Sequence, residues 1–126
     1  MQPEPETVLI VEDDAFISMD AAESVARAGA NVVTTETVSD ALDCLEANRI
    51  TAAILDFQVL DGNVAPVVER LKRAGIPYRV VSGSPVHEIT ARGIPADRIV
   101  PKPADYLKVM VQLVKDRPWS ALRANH

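Results

Sequence analysis

This sequence is poor in the residues that build many sites. It has one cysteine, Cys44, and two histidines, His87 and His126. A single cysteine excludes an internal disulfide and any cysteine-cluster metal centre, and two histidines argue against a His-rich transition-metal site. There is no long basic run and the formal net charge is −5. That argues against nucleic-acid binding, which needs clustered Lys and Arg to neutralise phosphates. No apolar stretch approaches the roughly 20 residues of a membrane span. The start, Met1-Gln2-Pro3-Glu4-Pro5-Glu6, is acidic and proline-rich and does not read as a signal peptide. No internal repeat is visible. The chain is therefore read as cytoplasmic.

What is present is the composition of one globular domain. The 126 residues are 48% apolar and 25% charged, which fits a single core. Residues 1–6 read as a flexible lead, 7–117 as the domain and 118–126 as a tail that holds Trp119, a packing anchor or a partner contact. Thr7 to Val11 is an apolar strand that runs into Glu12-Asp13-Asp14. A helix from Ala15 to Ala28 should bury Phe16, Met19, Ala22 and Ala26 beside Ile17 and Val25, and Gly29 should stop it. Asn31 to Thr35 is a β-branched strand. Ser39 should cap a helix that ends near Asn48 and turns Cys44 toward the core. Ala52-Ala53-Ile54-Leu55-Asp56 reads as a strand buried on both faces, with a carboxylate at its end.

The turn at Asp61-Gly62 leads into a helix capped by Asn63, with Val64, Val67, Val68 and Leu71 buried and Pro66 in its first turn. Gly75 ends it. Tyr78 to Val81 is the fourth strand. Val86 to Ala96 is weakly patterned and allows at most a short fourth helix, near Val86 to Ala91. Arg98 to Val100 is a short fifth strand. A last helix from about Ala104 to Asp116 should turn Leu107, Met110, Val111 and Val114 inward, and Pro118 should stop it. Alternating strands and helices predict an α/β fold, a doubly wound parallel sheet with helices on both faces. The common solution for five such units is the flavodoxin-like strand order 2-1-3-4-5.

In such a sheet the carboxyl ends of the strands share one crevice. Strand one delivers Glu12, Asp13 and Asp14, strand three Asp56, strand four Ser82 and strand five Lys102. Converging carboxylates repel and raise one another's pKa. A hard divalent cation, Mg²⁺, resolves this with oxygen ligands. Lys102 and Ser82 then suit the remaining oxygens of a phosphoryl group, and Asp56 is left as the acceptor.

These pieces, Val8-Leu9-Ile10-Val11-Glu12-Asp13-Asp14, Ile54-Leu55-Asp56, Val80-Val81-Ser82-Gly83 and Lys102-Pro103, resemble a two-component response-regulator receiver domain. The resemblance covers roughly residues 7–117. It implies that Asp56 is the phosphoacceptor and also a Mg²⁺ ligand, and that Asp13 is a direct Mg²⁺ ligand. It also implies that Glu12 acts through water and that the backbone carbonyl of Gln58 is a further ligand. Ser82 would be the switch hydroxyl, and Lys102 would pair with the phosphoryl group. The implied donor is a sensor histidine kinase or a histidine phosphotransfer protein in a bacterial phosphorelay. With no output module in the sequence, the expected type is a stand-alone, single-domain receiver that acts on a protein partner, and not on nucleic acid or membrane. It is not expected to be an enzyme beyond its own phosphorylation and dephosphorylation. The run Gly75-Ile76-Pro77 before strand four is similar to a subset of such stand-alone receivers.

Three features depart from the family's pattern. The loop from Asp56 to Gly62 is about two residues shorter than usual and lacks proline. Ile99 stands where an aromatic switch is usual. The segment from Ser82 to Ile99 is poor in helix. Other readings are a phosphate-independent interaction module of the same fold and an aspartyl-nucleophile phosphatase, which would need an acid where Gln58 stands. A flavin protein would need a phosphate loop where Glu12-Asp13-Asp14 lies. Taken singly, Ser82 reads equally well as a turn former and Lys102 as a surface lysine. His87 reads as a solvated loop residue.

Overall fold

The computed structural model describes residues 5–116. The expectations for Arg117, Pro118 and Trp119 fall outside the described residues. The strands are β1 (Thr7–Val11), β2 (Asn31–Thr35), β3 (Ala52–Asp56), β4 (Gln58–Val59), β5 (Gly62–Asn63), β6 (Tyr78–Ser82) and β7 (Ile99–Pro101). The helices are α1 (Ala15–Arg27), α2 (Val38–Ala47), α3 (Ala65–Ala74), the one-turn α4 (Val86–Thr90) and α5 (Tyr106–Asp116), and a 3₁₀ turn covers Ala96–Arg98. Five strands form one parallel sheet in the order β2-β1-β3-β6-β7. Numbered among themselves they read 2-1-3-4-5, as the pattern predicts. The two-residue strands β4 and β5 make a small antiparallel hairpin outside that sheet.

Successive strand residues point to opposite faces, so each central strand feeds two cores. Leu9, Val11, Ala53, Leu55 and Val80 pack with Ala41 and Cys44 of α2 and with Val67, Val68 and Leu71 of α3. Val8, Ile10, Ala52, Ile54 and Val81 pack with Ala21 and Val25 of α1 and with Tyr106, Val109, Met110 and Leu113 of α5. Ile89 of α4 and Ile94 are also buried, which anchors the helix-poor stretch after Ser82 to the α2–α3 side.

Two helix faces differ from the pattern. Phe16 and Met19 of α1 are 85% and 67% exposed and Ala26 is exposed too, whereas Val25 is buried as expected and Ala21 is buried with it. Ile17 and Ala22 pack against that core, and Phe16 and Met19 are left outside it. In α5 Met110 faces in as expected, but Leu107, Val111 and Val114 are largely exposed while Tyr106, Val109 and Leu113 are buried. Apolar residues surround most of this helix, so periodicity cannot choose its face. The start of the helix supplies the missing phase. The Asp105 carboxylate accepts from Leu107 N and Lys108 N, so the helix begins at Tyr106 and not at Ala104.

Caps also shift. Thr37, not Ser39, caps α2, its hydroxyl accepting from Asp40 N at 3.0 Å. Asn63 accepts from Ala65 N at 3.0 Å, although Val64 occupies the cap position of α3. Gly75 closes α3 in the left-handed conformation, φ 69°. Glu6, expected in the flexible lead, accepts a hydrogen bond from the Thr51 hydroxyl at 2.7 Å.

Candidate functional site

The site grows from the ends of β1 and β3. Beyond Val11, Glu12 donates its backbone N–H to Thr35 O at 3.0 Å. This extends the β1–β2 ladder by one step and turns the Glu12 side chain inward, where it is 5% exposed. Asp14 goes elsewhere. Its carboxylate accepts from Phe16 N at 2.9 Å and Ile17 N at 3.1 Å and so caps α1. Of the three consecutive acids, two therefore remain for the crevice. Carboxylate oxygens of Glu12, Asp13 and Asp56 all lie within 4.8 Å of one another.

Lys102 arrives from the end of β7. Its backbone N–H donates to Ser82 O at 3.0 Å, which ties the ends of β6 and β7 together. The Lys102–Pro103 peptide is cis. Lys102 Nζ lies 3.0 Å from Glu12 Oε1 and 3.2 Å from Asp56 Oδ2. The cluster holds three carboxylates against one ammonium. Burial first, and then the neighbouring Asp56 carboxylate, push the Glu12 carboxyl above its ordinary range; Lys102 offsets part of this. Burial pulls the Lys102 ammonium down, but the hydrogen bonds and charges of Glu12 and Asp56 outweigh it and hold its pKa above normal.

An all-oxygen donor set with surplus negative charge fits a hard divalent cation, and Glu12, Asp13 and Asp56 are the residues that can hold it. Ser82 is buried at the end of β6, and its hydroxyl accepts from Ser84 N at 3.0 Å. Gln58 lies on the β4–β5 hairpin directly after Asp56, paired with Asn63, and is exposed. Ile99 packs against the α2–α3 core. His87 is exposed, in the first turn of α4.

The sequence reading did not single out two residues near the site. Tyr106, four positions after Lys102, is 7% exposed. Burial is the main cause that pushes its hydroxyl up to about 12, with the charges of Lys102, Glu12, Asp20 and Asp56 acting on it. Asp61 was read only as part of a turn. Its carboxylate accepts from Val38 N at 2.6 Å and Ser39 N at 3.1 Å, at the start of α2. The hairpin turns at Leu60-Asp61, with Val59 paired to Gly62, and the shortened loop was the clue that it is there.

No protein-family model matches the chain, and no match was found among curated proteins. Solved structures do match. A response regulator receiver domain protein (CheY-like) from Methanospirillum hungatei JF-1 superposes with a TM-score of 0.82 at 20% identity, covering 95% of this chain and 99% of that one. A response regulator receiver protein from Sinorhizobium medicae WSM419 gives 0.80 at 20% identity, over 90% and 94%. The PhyR response regulator REC domain of Erythrobacter litoralis gives 0.76 at 21% identity, over 89% of each chain. At these identities the likeness establishes the fold, which is that of receiver domains.

Proposed function

We propose that this chain, built on the receiver fold, is a response-regulator receiver. In this reading Asp56 accepts a phosphoryl group with Mg²⁺ from a histidine kinase or a histidine phosphotransfer protein. The chain then signals by engaging a protein partner, or it relays or drains phosphate. One observation carries the reading: Lys102 Nζ is shared between Glu12 and Asp56 in a cluster whose carboxylates outnumber its cation.

The chemistry follows from that arrangement. A carboxylate oxygen of Asp56 attacks phosphorus in line with the donor imidazole. The new O–P bond forms as the P–N bond breaks, and its electron pair leaves with the imidazole, which takes up a proton. Lys102, already hydrogen-bonded to Asp56, neutralises charge on the phosphoryl oxygens. The Ser82 hydroxyl gives up Ser84 N and turns to donate to the phosphoryl group. Asp13, Asp56 and Glu12, with the Gln58 carbonyl, are the groups that would hold the metal. Mg²⁺, when bound, supplies charge neutralisation at the transferring group. Water later hydrolyses the phosphoaspartate, so the chain acts on itself and turns over no external substrate. A phosphatase of the aspartyl-nucleophile type would need an acid at Gln58, whose side chain sits on an exposed hairpin.

The test is intact mass after incubation with acetyl phosphate and Mg²⁺. One added phosphoryl group is expected in the wild type, and none in Asp56→Asn or without metal. An unmodified wild type that also binds no Mg²⁺ would favour a phosphate-independent interaction module.

A further inference from the structure

The hairpin after Asp56 joins three elements over very few residues. At its base Val64 N donates to Phe57 O at 2.9 Å, and Asn63 Oδ1 accepts from Ala65 N, where α3 begins. Gln58 pairs with Asn63 and Val59 with Gly62. Gly62 has φ 137°, a conformation that side-chain-bearing residues rarely adopt. At the tip, both carboxylate oxygens of Asp61 reach across more than 20 positions of sequence to consecutive backbone N–H groups of α2. Those hydrogen bonds, Val38 first and Ser39 second, hold the Asp61 carboxyl below its ordinary range. Thr37 satisfies the next N–H, that of Asp40. The unpaired N–H groups of a helix start need such partners, yet here two of them come from the loop that follows the acceptor strand.

From this geometry we propose that Asp61 is a positioning residue for the Asp56 site, clamping the hairpin that carries Gln58 to the first turn of α2. The role rests on the receiver reading of that site. The backbone of residues 57 and 58 cannot shift without straining either its base at α3 or its tip at α2. Coupling of this kind is reciprocal. If the clamp favours the geometry that binds the metal and accepts phosphate, then loading the site tightens the clamp.

A plain helix cap would behave differently, and Thr37 supplies the control. Thr37→Val removes a cap of α2 without touching the hairpin, whereas Asp61→Ala removes the clamp. Mg²⁺ alone is titrated against each chain and followed by amide shifts, and phosphorylation by acetyl phosphate is timed separately. Asp61→Ala is expected to weaken Mg²⁺ binding and slow phosphorylation by about five- to tenfold. Asp61→Asn, which keeps one acceptor oxygen, should fall between it and the wild type, and Thr37→Val should match the wild type in both. In the wild type, Mg²⁺ should slow hydrogen exchange of the Val38 and Ser39 amides. If Asp61→Ala matches the wild type, or if Thr37→Val shows the same loss, the clamp is overturned while the receiver reading stands. A wild type that neither binds Mg²⁺ nor takes a phosphoryl group overturns the receiver reading, and this role with it.

Discussion

Strand β6 carries a buried polar residue near each end, and the two ends treat charge in opposite ways. At the start, Arg79 is 6% exposed. Its guanidinium donates to Gln112 Oε1 at 3.0 Å, to Tyr78 O at 2.9 Å and to the Asp116 carboxylate. One cation meets one anion, and further acceptors take its remaining donors. At the other end, beside Ser82, a cluster of three carboxylates has a single ammonium, which pairs with two of them. Both ends hold partly buried ion pairs, but only one is balanced. A balanced pair needs nothing from outside, whereas an unbalanced one gains from a cation or a charged ligand. Imbalance, more than burial, is what marks the site.

Breaking the balanced end should have the largest effect on stability. Arg79→Met removes the guanidinium's hydrogen bonds to Gln112, Tyr78 O and the exposed Asp116 carboxylate and is expected to cost about 1–3 kcal/mol in urea unfolding. It should leave Asp56 phosphorylation unchanged, because the pair lies at the opposite end of the strand. A loss of phosphorylation in a still-folded Arg79→Met would show that the two ends are not separate.

Loading the unbalanced end should do the reverse. At ten times its dissociation constant, Mg²⁺ is expected to stabilise the fold by about 1.4 kcal/mol at pH 7, read as a rise in Tm. The effect should shrink in acid. Glu12 has a raised pKa in the fold, so the fold favours its protonated form. Its contribution is fully present below the ordinary carboxylate pKa and is lost as pH rises through the folded value. Without metal, this end therefore becomes less strained as pH falls, and the metal then has less repulsion to relieve. A Tm increment from Mg²⁺ that grew toward acid would contradict this.

The smallest effect separates function from stability most cleanly. Asp56→Asn removes one anion from a crowded site and should leave stability unchanged or raise it by up to about 1 kcal/mol, even as phosphoryl acceptance is abolished. Deletion would then destabilise at the balanced end and not at the unbalanced one. A marked loss of stability in Asp56→Asn would mean that the Lys102 contact outweighs the repulsion.

The parts legible in the sequence share a physical cause. The central strands are buried on both faces, so they stand out as unbroken apolar runs, and the polar residue that ends each run falls on the crevice edge. That logic gave Glu12, Asp13, Asp56, Ser82 and Lys102 positions on one edge of the sheet, and the strand order followed the common five-unit solution. What escaped depends on contacts between distant segments. Arg79 interrupts an apolar strand without any local sign of its partners, which lie 33 and 37 positions away. Asp61 looks like an ordinary turn residue until α2 is placed beside it. The phases of α1 and α5 escaped because Phe16, Met19 and Leu107 are as apolar as the residues that do face the sheet. Asp14 was counted with the crevice acids because a helix cap and a metal ligand use the same side chain.

The Arg79–Asp116 pair also bears on the order in which the chain can be finished. Asp116 follows Arg79 by 37 positions. At translation rates of about 5–20 residues per second, Arg79 leaves the ribosome roughly 2–7 seconds before its partner carboxylate. During that interval the guanidinium lacks its anion, on a strand that lies between β3 and β7. The full set of Arg79 partners is therefore complete only once the last turn of α5 has been made.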